Sequence, residues 1–96
     1  MKSLGTINEI LSKHRSDLAD KYKVKEIGIF GSHARGDQRK TSDLDVLVEF
    51  SEPIGWEFVD LKEFLGSILN MKVDLVTVGA LKPMLKDRIL HEVVYL

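Results

Sequence analysis

Two apolar runs joined by a short polar loop constrain this chain more than any other feature. Ile27 to Phe30 leads into Gly31-Ser32, and Val46 to Phe50 follows Ser42-Asp43-Leu44-Asp45. The second run alternates strictly. Leu44, Val46, Val48 and Phe50 would share one face, with Asp43, Asp45, Leu47 and Glu49 on the other, a period of two that only an extended strand satisfies. Asp43 to Phe50 is therefore predicted to be a strand with one apolar and one acid-bearing face. Val24 to Phe30, rich in β-branched and aromatic residues, predicts a second strand that Gly31 ends. Ser32 to Arg35 fits a single helical turn stopped by Gly36, and Asp37 to Ser42 a charged loop.

The flanking chain reads as helices and further strands. Leu4, Ile7, Leu11, His14 and Leu18 recur in three- and four-residue steps, the stripe of an amphipathic helix. Pro53 and Gly55 mark a turn; Trp56 to Leu69 resumes helical spacing through Leu61, Leu65 and Ile68. Met71 to Val78 predicts a third strand that carries Asp74 inside an apolar run. Met84 to His91 predicts a short helix, and Glu92 to Leu96 a last strand or tail. Helices alternating with strands give an α/β (α+β) class, a small mixed sheet with flanking helices, expected as one domain over residues 1–96.

Composition matters mainly for what it excludes. A hydrophobic content of 44% with 30% charge is that of a globular chain, and no cysteine is present, which removes thiolate catalysis and cysteine-ligated zinc. Net charge is −1, so no global basic field recruits nucleic acid, and a nucleic-acid substrate is not expected. No apolar run approaches the roughly 20 residues that span a bilayer, and the N-terminus has no apolar signal core; the expected location is cytoplasmic.

The polar residues at the strand ends carry the chemistry. Asp43 and Asp45 lie two apart on a predicted strand, so both carboxylates leave one face about 7 Å apart. Such a pair can hold two Mg²⁺ ions, which take hard oxygen ligands and share their shells with water and substrate phosphates. Asp74 is the candidate third acid, since a charge inside Lys72-Val73-Asp74-Leu75-Val76 is costly unless it meets a cation. Gly31 permits close backbone approach to a phosphate, and Ser32 adds a hydroxyl donor at the start of a helical turn. Arg35 is positioned either to contact a phosphate oxygen or to brace the loop against a carboxylate. Arg39 and Lys40 make the loop locally basic.

Each element alone has an ordinary explanation. An Asp-x-Asp pair is commonly a solvated strand start, and Gly-Ser is commonly a turn. His14 is expected at the core edge, His33 at the periphery, and His91 as a helix C-terminal residue. Phe58 is expected in the core, with Trp56 divided between core and a partner-binding patch. Strand, Gly-Ser turn, loop, Asp-x-Asp and a later strand-borne Asp together make a far more specific signature.

Gly31-Ser32-x-Ala34-Arg35-Gly36, Ser42-Asp43-Leu44-Asp45 and Val73-Asp74-Leu75 closely resemble the minimal nucleotidyltransferases of the DNA polymerase β superfamily. The resemblance implies a polymerase β palm-like fold. By matching positions it implies Mg²⁺ ligation by Asp43, Asp45 and Asp74, with Asp74 also helping to activate the acceptor hydroxyl. Gly31 and Ser32 would hold the β- and γ-phosphates of ATP. Members of this subgroup are commonly encoded beside a small HEPN-type toxin. The resemblance thus implies an antitoxin that transfers AMP to a tyrosine of that partner, in a hetero-oligomer. Alternatives are a non-catalytic nucleotide-binding antitoxin that works by occlusion, and a transferase acting on a small molecule or nucleic-acid end. The acceptor, the base preference and the number of AMP groups moved are not legible in the chain.

Overall fold

A computed structural model describes residues 2–96. Ten elements follow in order: α1 (Leu4–Lys13), α2 (Arg15–Asp20), β1 (Val24–Phe30), α3 (Ser32–Arg35), β2 (Leu44–Phe50), α4 (Glu57–Leu69), β3 (Val73–Thr77), a 3₁₀ turn (Val78–Ala80), α5 (Pro83–Glu92) and β4 (Val94–Tyr95). The four strands form one mixed sheet in the order β3-β2-β1-β4, antiparallel except for the parallel β2–β3 pair. The expected α/β class with a small mixed sheet is what the chain adopts.

Register gives the two faces of the sheet their separate tasks. Ile29 pairs with Val46, Ile27 with Val48, Val73 with Leu44 and Leu75 with Val46. Paired residues share a face, so these side chains form one apolar surface, all of it buried. Leu61, Leu65 and Leu69, four residues apart on α4, lie fully buried against it, joined by Ile7 and Leu11 of α1 and Leu18 of α2. The opposite face carries Phe30, Asp45 and Asp74 in one row across β1, β2 and β3, with Leu47 buried two residues further on.

The first helical stripe is interrupted. A single helix through Leu18 was expected, but the backbone leaves helical geometry at His14 (φ −111°, ψ 16°) and restarts at Arg15. There the His14 ring meets the edge of Phe64, with centroids 5.4 Å apart, and Phe64 stacks on Tyr22. Beyond the break, Leu18 and Tyr22 pack in the core. Ser3 caps α1 by accepting the Thr6 N–H, and Asn70 ends α4 in the left-handed conformation.

Gly28 brings the last strand against β1. A Cβ there would stand 2.6 Å from Val93 Cγ2 and 3.1 Å from the Val94 carbonyl oxygen. Only glycine admits β4, which pairs Tyr95 with Gly28 and Val94 with Ile29. Among the described residues no helix is long and apolar enough to cross a membrane.

Candidate active site

Gly31, Ser32, Arg35 and Asp45 line one open cleft of about 300 Å³, closed on its far side by Leu85, Arg88 and Glu92 of α5. Two roomier clefts lie elsewhere, about 390 Å³ beside α1, α2 and β1 and about 550 Å³ beside Arg39 and Lys40. Chemistry rather than volume singles out the smaller one.

Its floor is set by strand ends. Asp45 lies between its register partners Phe30 and Asp74. Gly31 follows Phe30 with φ 73° and ψ −150°, a conformation open essentially to glycine alone. A Cβ at Gly31 would also run into the Asp45 carboxylate, with Asp45 Cγ only 3.0 Å away. The Gly-Ser turn and the aspartate are thus packed face to face. Beyond the turn, α3 spans Ser32 to Arg35 and stops at left-handed Gly36, as the sequence predicts.

The electrostatics of Asp45 are unusual for a surface carboxylate. Partial burial raises its pKa first, and the charges of Asp74 and Asp43 raise it further, against an opposing pull from Arg35. Asp45 therefore senses both Asp74, its register partner, and Asp43, which lies just before β2 rather than on it as expected. Among the described residues no three acids or histidines converge into a ready-made metal cage. Hard carboxylate oxygens under mutual repulsion nevertheless fit Mg²⁺, which keeps water and takes substrate phosphate oxygens as its remaining ligands. Asp74 differs from expectation in one respect. It faces outward from β3 and is exposed, so no burial penalty attaches to it. Its neighbours Val73 and Leu75 take the core side instead.

Arg35 braces the loop. Its Nη1 donates to Glu92 Oε1 at 2.6 Å and its Nε to Asp37 Oδ2 at 3.2 Å. Glu92 also accepts the Gly31 N–H through Oε2 at 3.2 Å. These carboxylates, Glu92 foremost, hold Arg35 in its charged form above its ordinary pKa. Sequence reasoning missed Glu92, whose partners Gly31 and Arg35 lie more than fifty residues away, and Arg88, which lines the cleft beside it; no local pattern marks either.

His33 corrects a second expectation. Expected at the periphery, it is only 3% exposed, because the short α3 packs back onto β1 and β2. Its buried Nδ1 has no hydrogen-bond partner, and burial lowers its pKa. Protonation is therefore easier in the unfolded chain. Stability from neutral His33 is present above the ordinary value of 6.5 and lost as pH falls through that value towards the lower folded one. A melting-temperature profile should drop below pH 6.5, and His33→Leu should remove that component of the slope.

Trp56 is 82% exposed at the start of α4, away from the core, whereas Phe58 packs against it.

Residues 11–96 match the nucleotidyltransferase domain family. The chain belongs to that family. A Methanocaldococcus jannaschii protein provisionally named protein adenylyltransferase is 55% identical over 78 residues, 80% of this chain and 91% of its own. The Thermococcus cleftensis protein adenylyltransferase MntA is 42% identical over 96 residues, 99% of this chain and 97% of its own. Among solved structures, one provisionally described as a minimal nucleotidyltransferase superposes with a TM-score of 0.77 at 31% identity, covering 94% of this chain and 95% of that one. Another, reported as a toxin–antitoxin with AMP-PNP, gives a TM-score of 0.72 at 26% identity over 93% and 70%. The chain is accordingly a member of an enzyme family of nucleotidyltransferases, with the fold of its minimal members.

Proposed function

We propose that this protein moves AMP from ATP to a hydroxyl of a partner protein, a tyrosine of a HEPN-type toxin, and so acts as the antitoxin. The observation that carries the chemistry is Asp45, its carboxyl raised by burial and by Asp74 and Asp43, directly against the Gly31-Ser32 turn. The relatives named protein adenylyltransferases support the choice of AMP and of a protein acceptor. The toxin–antitoxin neighbour bound to AMP-PNP supports the choice of ATP and of a toxin partner.

In this reading the Gly31 N–H, the Ser32 hydroxyl and Arg35 hold the β- and γ-phosphates. Asp43, Asp45 and Asp74 would be the ligands for two Mg²⁺ ions, which when bound would supply neutralisation of charge on the triphosphate. Asp74, exposed on the edge strand, takes the proton from the acceptor hydroxyl. The acceptor oxygen forms a bond to the α-phosphorus, the α–β bridging P–O bond breaks, and pyrophosphate leaves. The open cleft leaves the acceptor side unclosed, consistent with a docked protein completing it.

Intact mass of a candidate HEPN-type toxin, after incubation with the chain, ATP and Mg²⁺, tests the reading. Added AMP mass is expected, and its loss with chelator. Silencing of the toxin without any mass change would instead establish occlusion.

A further inference from the structure

Two of the three groups assigned to phosphate are already engaged. The Gly31 N–H and Arg35 Nη1, four residues apart in sequence, both donate to the Glu92 carboxylate, at 3.2 and 2.6 Å. The Glu92 side chain is only 16% exposed and reaches this point from the opposite end of the sequence. A carboxylate with one oxygen on a backbone N–H and the other on a guanidinium occupies the donors that a phosphate would use. The same charge adds to those bearing on Asp45. A triphosphate and a carboxylate cannot both take these two donors beside three further acids.

From this geometry we propose that Glu92 is a resident occupant of the phosphate site and that the nucleotide displaces its carboxylate on binding. The proposal rests on the assignment of Gly31 and Arg35 to the phosphates made above. It deepens that reading by giving the site a closed resting state.

The element that carries Glu92 is suited to yield. No residue of α5 is buried, and Met84 and Leu85 on it are exposed. Withdrawal of α5 therefore uncovers little apolar surface, and the carboxylate leaves with the last turn of the helix. The chain beyond it stays anchored, because β4 pairs with β1 through Gly28 and Ile29 and the Leu96 N–H donates to the Ile27 carbonyl at 3.0 Å. Val93, extended at φ −62° and ψ 137°, is the joint between the movable helix and the fixed strand. A site closed in its resting state binds ligand with an affinity reduced by the fraction of time it is open.

The competing account makes Glu92 a positioning residue that orients Arg35 for the phosphate. The two accounts predict opposite signs. If Glu92 is the occupant, Glu92→Gln removes the competing charge while keeping the shape. Calorimetric titration with tripolyphosphate, and with AMP-PNP in Mg²⁺ without an acceptor protein, should then show binding roughly tenfold tighter than wild type, the scale of one lost charged contact. Equal or weaker binding by E92Q, with wild type binding normally, would overturn the proposal and leave the transferase reading standing. Failure of both proteins to bind either probe would remove the phosphate-site reading and the proposal together. Should E92Q not fold, hydrogen exchange on wild type decides. Saturating tripolyphosphate should speed exchange at the C-terminal end of α5, and unchanged or slower exchange there would overturn displacement.

Discussion

Asp45→Asn is expected to abolish AMP transfer, by roughly 10³-fold or more, while the protein melts at a higher temperature than wild type. The loss follows from taking the anionic carboxylate of Asp45 out of the row it shares with Asp74. Asparagine keeps the shape against Gly31 but supplies a neutral amide. The gain in stability follows from the same environment. Burial and the charges of Asp74 and Asp43 raise the Asp45 pKa, so its ionised form is disfavoured in the folded chain. A group with a raised folded pKa contributes most below its ordinary value of 3.8, and that contribution is lost as pH rises through the folded value. At neutral pH the charge therefore opposes folding, and removing it relieves the strand. Like charges on adjacent strands cost about 0.5 kcal/mol, or about 2–4 °C in a domain this small. Paired assays of transfer and thermal melting check both halves. A variant that melts lower, or keeps activity, would contradict the site.

Gly31→Ala should be the most damaging small substitution in the chain. Its backbone conformation is closed to alanine, and its Cβ would press on the Asp45 carboxylate. Together these cost about 2–3 kcal/mol, lowering the melting temperature by about 10–20 °C. Transfer should fail even at temperatures where the variant remains folded, because relief of the clash moves the aspartate. Thermal unfolding and low-temperature mass analysis of the acceptor separate the two effects. An unchanged melting point would mean that the turn is not built as described.

What the sequence conveyed, it conveyed through local pattern. The alternation from Leu44 to Phe50 fixed one face as apolar and placed Asp45 on the other, and the structure keeps that division. Gly31 and Gly36 bracketed a single turn of helix, which is what forms. Where the outcome depends on distant chain, local pattern was silent. Glu92 reads in sequence as the start of the last strand, whereas it closes α5, and only the fold brings it to Gly31 and Arg35. His33 follows a turn of polar residues, and nothing nearby indicates that α3 packs its ring inward. The break at His14 has no glycine or proline to announce it; it falls where the ring meets Phe64, fifty residues on. Asp74 was placed on the correct strand with the wrong surroundings, because an apolar stretch does not reveal which of its residues face out from an edge.

The parallel register of β2 and β3 makes Asp74 a passenger of its neighbours. Val73 and Leu75 point into the core at 4% and 6% exposure, and between them Asp74 has only one way to face. A slip by one residue would turn both apolar side chains to solvent as it carried the acid away. Under the role proposed for Asp74, accuracy at the reacting centre is thus inherited from packing on the far side of the sheet. Under that role, variation at Val73 or Leu75, invisible to any substrate, becomes variation in catalysis, and a lineage could lose its chemistry without ever altering an acid.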